Sequence, residues 1–152
     1  MLFEIIGQAG VGKSFVLDCF KDLLGDQALV LAQSGKAAVN VKGSTIHSAF
    51  GFGQGDYAYG LSEMSPKTKK DKKINFNPIK YIFIDEISLV DKKLFAAAEL
   101  RAREIKENDL LWGGINVVLL GDWSQMKPVK SYSLFHKELK TDNAMHKHGK
   151  KV

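Results

Sequence analysis

The chain has 152 residues, 45% of them hydrophobic, which fits one domain with a core of its own and no need of disulfides. Its net charge of +5 is carried almost wholly by lysine, 20 of them against only Arg101 and Arg103, and this permits a polyanionic partner without requiring one. No apolar run reaches the roughly 20 residues of a membrane span, and the single cysteine, Cys19, excludes an internal disulfide, so a reducing intracellular setting (cytoplasmic, or nuclear or mitochondrial in a eukaryote) and no membrane partner are expected.

The chain opens on Leu2–Ile6, an apolar run that reads as a short strand buried on both faces rather than a signal peptide. It leads into Gly7-Gln8-Ala9-Gly10-Val11-Gly12-Lys13-Ser14, which fits the phosphate-cradling pattern G-x-x-x-x-G-K-[ST] at every fixed position. A helix is expected over Lys13–Leu24, with Phe15, Val16, Cys19, Phe20, Leu23 and Leu24 on one apolar face and Cys19 packed in the core. Strand, glycine loop and helix start together form the context the motif needs. The glycines allow the backbone to fold around phosphate oxygens, and the loop N–H groups and the positive helix end face the anion. Lys13 then reaches the β/γ-phosphates of a nucleotide, and the Ser14 hydroxyl holds Mg²⁺.

Further apolar runs follow at Ala28–Leu31, Ile79–Ile84 and Ile115–Leu120. Helical patterns lie between them near Lys36–Val41 and over Asp91–Asn108, the latter with Asp91 as its cap. Strands alternating with helices predict a parallel α/β sheet with helices on both faces. Residues 51–78 interrupt that rhythm with Gly51, Gly53, Gly55 and Gly60 among aromatics, then the lysine run Lys67, Lys69, Lys70, Lys72 and Lys73. They form either an ordered insertion or a loop. The stretch 136–152 is polar, with Lys147, Lys150 and Lys151 near its end, and reads as a tail or the start of a further domain; residues 1–135 form the main domain.

A second constellation closes the strand Tyr81-Ile82-Phe83-Ile84 with Asp85-Glu86. In a parallel sheet the strand C-termini share one edge, so Asp85 is expected beside the metal held by Ser14. Glu86, one residue on, is placed to orient and deprotonate an attacking water. The strand Val117–Leu120 runs into Gly121-Asp122-Trp123-Ser124-Gln125, where the neutral amide of Gln125 suits sensing a γ-phosphate or positioning water.

Four segments in register carry a resemblance. Gly7–Ser14, the stretch Ala32-Gln33-Ser34-Gly35-Lys36-Ala37-Ala38 with Gly43–Phe50, then Asp85-Glu86-Ile87-Ser88-Leu89-Val90, and Trp112-Gly113-Gly114-Ile115 with Gly121–Val129 are similar to the motifs of superfamily-one helicases. The match is nearest to the RecD, Dda and PIF-one group. The resemblance implies a RecA-like P-loop motor domain binding ATP and Mg²⁺. Gly7, Gln8, Ala9, Gly10, Val11, Gly12, Lys13, Ser14 and Phe15 would contact the nucleotide. Ser14 and Asp85 would hold the metal, and Lys13, Glu86 and Gln125 would carry the chemistry. Ser34, Gly35, Lys36, Thr45, His47 and Phe50 would line a single-stranded DNA path, with Phe50, Phe52 or Tyr57 stacking on bases; core packing is the alternative for Phe50 and His47. The insertion falls where the family often carries a small wedge hairpin. Three departures stand out: no adenine-contacting segment precedes the first strand, Lys127 replaces a more usual proline, and a second RecA-like domain with its arginine finger is missing. The isolated chain is therefore expected to hydrolyse ATP slowly or not at all. The alternative is a non-catalytic nucleotide- and DNA-binding module. A small kinase is disfavoured for want of an acceptor-substrate motif, and a GTPase because no Asn-Lys-x-Asp motif occurs.

Overall fold

The computed structural model describes residues 1–53, 55–57 and 60–122. The expectations for Gln125, Lys127, the 135/136 boundary and the polar tail lie outside the described residues. Among the described residues, five strands form one sheet: β1 Leu2–Ile6, β2 Ala28–Ala32, β3 Ser44–Thr45, β4 Tyr81–Ile84 and β5 Asn116–Gly121. Their order is β1-β5-β4-β2-β3, and every pairing is parallel. Five helices connect them: α1 Lys13–Leu24, α2 Gly35–Asn40, α3 Ile46–Phe50, α4 Pro66–Phe76 and α5 Lys92–Lys106. None of the helices among the described residues is long and apolar enough to cross a membrane.

Side chains alternate across each strand, and the core divides accordingly. Leu31, Ile82, Ile84, Val117 and Leu119 face one way, against Ile46 and Phe50 of α3, Phe76 of α4 and the alanine-rich side of α5. Val30, Phe83, Val118 and Leu120 face the other way and meet Leu17 of α1. The expected parallel α/β sheet with helices on both faces is the observed one.

Two burial expectations are overturned. Leu2, Phe3 and Ile6 of β1 are exposed, because β1 lies at the edge of the sheet with β5 as its neighbour. On α1 only Leu17 is buried; Cys19 is exposed, and so are Phe15, Val16, Phe20 and Leu23. The helix does meet the middle of the sheet, with Leu17 clustered with Val30, Phe83, Val118 and Leu120 and Phe20 beside Phe83 (ring centroids 5.5 Å apart), but Phe15, Val16 and Leu23 of its apolar stripe stay exposed. Cys19 is not a core residue.

The insertion is ordered around a helix that the lysine run had hidden. Ser65 caps α4 by accepting from the Thr68 N–H (3.2 Å), and Pro66 supplies a preset first helical φ. Phe76 anchors its far end against Phe50, with ring centroids 5.3 Å apart. Asp91 caps α5 as expected, accepting from the Lys93 N–H at 3.0 Å. The two arginines pair along that helix, Arg101 with Glu104 and Arg103 with Glu99. Trp112 and Gly113 belong to the third motif but act on the fold. Both have positive φ, Trp112 packs against Phe95 and Phe50, and a Cβ on Gly113 would meet the Ala102 carbonyl at 2.7 Å.

Candidate phosphate-binding site

The register of the sheet sets up the site. Ile6 pairs with Gly121, Leu119 with Ile84, and Leu31 with Ile84, so the chain leaves β1, β5, β4 and β2 at one edge. Gly7, the first residue after β1, donates its N–H to the Gly121 carbonyl (3.1 Å), and Asp85, the first after β4, donates to the Leu31 carbonyl (2.9 Å). These bonds tie the glycine loop and the acidic turn to the same rim, where ligands of open α/β sheets bind.

The loop conformation needs its glycines. Gly10 and Gly12 have φ of 82° and 94°, and a Cβ at either would touch nothing within 4 Å, so conformation rather than space excludes other residues. Gly12 then caps α1. Lys13 opens that helix, and its Nζ curls back to donate to the Gly7 carbonyl (2.5 Å) and the Gln8 carbonyl (2.7 Å).

Opposite the loop, Glu86 sits at φ 50° and ψ 44°. This left-handed conformation costs a non-glycine residue roughly 1–2 kcal/mol, and it turns the chain from β4 into the short helical turn Ile87–Leu89. Gly121 makes room for that turn, since a Cβ there would lie 2.9 Å from Ile87 Cγ2 and 3.2 Å from the Ile87 nitrogen.

Between the two sides lies an open cavity of about 350 Å³. Ala9, Gly10, Gly12, Lys13 and Ser14 form one wall; Asp85, Glu86, Gly121 and Asp122 form the other. Lys13, Ser14, Asp85 and Glu86, assigned to phosphate, metal and water chemistry from sequence alone, thus converge. Gly7 and Gln8 support Lys13 from outside the lining, and Val11 and Phe15 are exposed away from it. Gly121 and Asp122 were quoted in a motif but given no role. The signal was available: Asp122 follows its strand as Asp85 follows β4, and it is 9% exposed.

The second set of predicted residues gathers elsewhere on the rim. Ala32 pairs with Thr45, which brings the turn after β2 beside the start of α3. Ser34 Oγ accepts from the Ala37 N–H (3.2 Å) and caps α2, whose first residues are Gly35 and the exposed Lys36. Thr45 Oγ1 accepts from the Ser48 N–H (3.1 Å) and caps α3. His47 is half-buried; its Nε2 shares a hydrogen bond of 2.8 Å with the Tyr57 hydroxyl, and burial pushes its pKa below the ordinary histidine value. Phe50 must be corrected. It is 0% exposed and packed on Phe76 and Trp112, so its ring belongs to the core and has no face for a base. Phe52, 8% exposed, is excluded from stacking on the same ground.

Residues 1–145 match the family model described as PIF1-like helicase. The chain belongs to the PIF1-like helicase family. It is 38% identical over 128 residues to the ATP-dependent DNA helicase RRM3 of Saccharomyces cerevisiae, covering 81% of this chain and 18% of that protein. Bacteroides Pif1 bound to single-stranded DNA superposes with a TM-score of 0.73 at 31% identity, covering 85% of this chain and 30% of that one. Bacteroides Pif1 with ADP-AlF3 and single-stranded DNA gives 0.72 at 31% identity, over 86% and 30%. This chain therefore spans less than a third of the length of these PIF1-like relatives. The matched stretch contains both cavity walls and the rim residues around α2 and α3.

Proposed function

We propose that this chain is the ATP-binding first motor domain of a 5'-to-3' DNA helicase, and that the complete enzyme couples ATP hydrolysis to movement along single-stranded DNA. One observation carries the reading: Lys13, Ser14, Asp85 and Glu86, far apart in sequence, line one cavity at the C-terminal edge of a parallel sheet. The RRM3 relative, named an ATP-dependent DNA helicase, and the Pif1 structures with single-stranded DNA and with ADP-AlF3 support it.

The cavity suits a triphosphate. Glycines at positive φ expose loop N–H groups, and Lys13 has only to exchange two loop carbonyls for phosphate oxygens. A hydroxyl at Ser14 and a carboxylate at Asp85 are the oxygen donors that Mg²⁺ prefers. Mg²⁺, when bound, neutralises charge on the β- and γ-phosphates. Glu86 accepts the proton of the attacking water, and Gln125 contacts the γ-phosphate. Ser34, Gly35, Lys36, Thr45 and His47 line the single-strand path, through hydroxyls, backbone N–H groups and one lysine that hold phosphates without reading sequence. Residues 1–135 form the motor domain, acting in an intracellular compartment.

Hydrolysis by this chain alone is slow. An arginine finger contributes about 10³–10⁵ in rate to phosphoryl transfer, and both arginines of this chain are committed to α5, Arg101 to Glu104 and Arg103 to Glu99. A second RecA-like domain, in the same polypeptide or in trans, supplies the finger and the surface that closes on ATP.

A steady-state ATPase assay with and without single-stranded DNA tests the assignment. Turnover that DNA raises and that Glu86→Gln lowers about 10²–10⁴-fold is expected for a catalytic base. Equal background rates in both proteins, with nucleotide still bound, would instead identify a non-catalytic nucleotide- and DNA-binding module.

A further inference from the structure

We propose that Tyr57 is a positioning residue for the single-strand path: its hydroxyl donates to Nε2 of His47, fixes the imidazole as the Nδ1–H tautomer, and so leaves that N–H to bind a strand phosphate. This role rests on the single-strand path of the proposed function and names the proton that a phosphate contact there requires.

His47 lies in the first turn of α3, two residues past the Thr45 cap. Its ring is seated against the insertion. The ring centroid of Phe52 is 6.3 Å away, edge-on, and that of Tyr57 is 5.8 Å away. Phe52 stacks on the buried Phe50, so the floor under His47 is part of the core. The loop carrying Tyr57 is closed on itself. The Asp56 carboxylate accepts from the Gly53 N–H (2.6 Å), and the Asp56 carbonyl accepts from the Ser62 N–H (3.0 Å). Lys72 of α4 donates to the carbonyl of Ser48, the residue after His47, at 2.6 Å. The insertion therefore grips α3 by two polar contacts, and the His47–Tyr57 bond of 2.8 Å joins two parts that are each anchored on their own.

The direction of that bond follows from proton count. A neutral imidazole has one N–H donor and one acceptor nitrogen, and the partner of one nitrogen selects the tautomer. Burial holds the His47 pKa below its ordinary value, so the ring is neutral at neutral pH. Burial, and then the negative charge of Asp91, raise that of Tyr57, so the phenol keeps its proton. If Nε2–H donated to Tyr57, the phenol proton would have no acceptor among the described residues. Nδ1 would then present a lone pair, which repels a phosphate. With Tyr57 donating, Nε2 is satisfied, and Nδ1–H, which has no partner among the described residues, is the free donor. Such a donor holds a phosphate without reading a base.

Two measurements test the assignment. Nitrogen NMR of the imidazole rings at neutral pH reads the tautomer, with the His47 signals identified by their loss in His47→Gln. Fluorescence anisotropy reads affinity for a single-stranded DNA oligonucleotide. Wild type should show the Nδ1–H tautomer. Tyr57→Phe keeps the ring and removes the hydroxyl; it should mix the tautomers and weaken single-strand binding about three- to tenfold, the scale of one lost hydrogen bond. In the His47→Gln background, Tyr57→Phe should change affinity no further. An Nε2–H tautomer in wild type, or the same loss from Tyr57→Phe in both backgrounds, would overturn the inference and leave the path standing. So would unchanged affinity in Tyr57→Phe, and a loss in Tyr57→Ala would then identify the ring as a stacking platform instead. A wild-type chain that binds no single strand would remove the path itself and the inference with it.

Discussion

Lys13 donates to the carbonyls of Gly7 and Gln8, the residues that open the phosphate loop. Its ammonium is thus poised beside the loop and makes no contribution to either core cluster. Replacing it removes a ligand contact while leaving the packing in place. Lys13→Ala should abolish ATP–Mg²⁺ binding in calorimetry and leave the circular dichroism spectrum and unfolding midpoint near wild type; retained ATP affinity would contradict its assignment. Glu86 makes a complementary point about single residues. Its left-handed backbone is unfavourable for a glutamate, yet the tie of Asp85 to Leu31 on one side and the turn Ile87–Leu89 on the other hold it there.

Among the elements, α5 connects most of the molecule. It starts at Lys92, six residues after Glu86, caps itself with Asp91, and buries Leu94, Phe95 and the three alanines 96–98 against the sheet. Near its middle, Arg101 is 1% exposed; it pairs with Glu104 at 2.8 Å, donates to the Ser62 carbonyl at 2.7 Å and lies 5.4 Å from the centre of the Phe52 ring. One side chain thereby ties the insertion to the helix that follows the acidic turn. Arg101→Met keeps much of the volume but leaves Ser62 without its donor and Glu104 without its cation. Glu104 keeps some access to water, so the cost should sit at the low end for a broken buried pair, about 3 kcal/mol in urea denaturation. A change below about 0.5 kcal/mol, the size of an ordinary surface substitution, would mean the tether is unimportant.

For the whole molecule, pH enters through His47. Burial holds its pKa below the ordinary histidine value, so the unfolded chain binds the proton more readily than the folded one. The stability contributed by neutral His47 is therefore complete above the ordinary value near 6.5 and is lost as pH falls through the lower folded value. Denaturation midpoints measured from neutral pH downward should fall, and His47→Gln should flatten that part of the curve. An identical pH profile for the variant would assign the loss to the carboxylates instead.

The parallel α/β layout, the start and end of α1, the Asp91 cap and the meeting of Lys13 and Ser14 with Asp85 and Glu86 were legible in the chain. Each depends on local chemistry: a glycine loop must adopt positive φ, an aspartate satisfies free N–H groups, and a carboxylate after a parallel strand lies at the common edge. The order β1-β5-β4-β2-β3 was not legible, because a run such as Leu2–Ile6 has the same composition at an edge as in the middle. That order puts Leu2, Phe3 and Ile6 on an edge strand, where they are exposed; Cys19 and Phe20 of α1 are exposed as well. The helix α4 escaped notice because its period is carried by Phe76 and charged side chains rather than by an apolar stripe; its cap is local, but its contact with Phe50 forms only when distant segments meet. The same holds for Phe50, whose neighbours Trp112 and Phe76 lie 62 and 26 residues away in the chain. Local stereochemistry and motif spacing determined which residues could hold a nucleotide; only the packing of remote segments decided which apolar rings were spent on the core and which cations were left facing water.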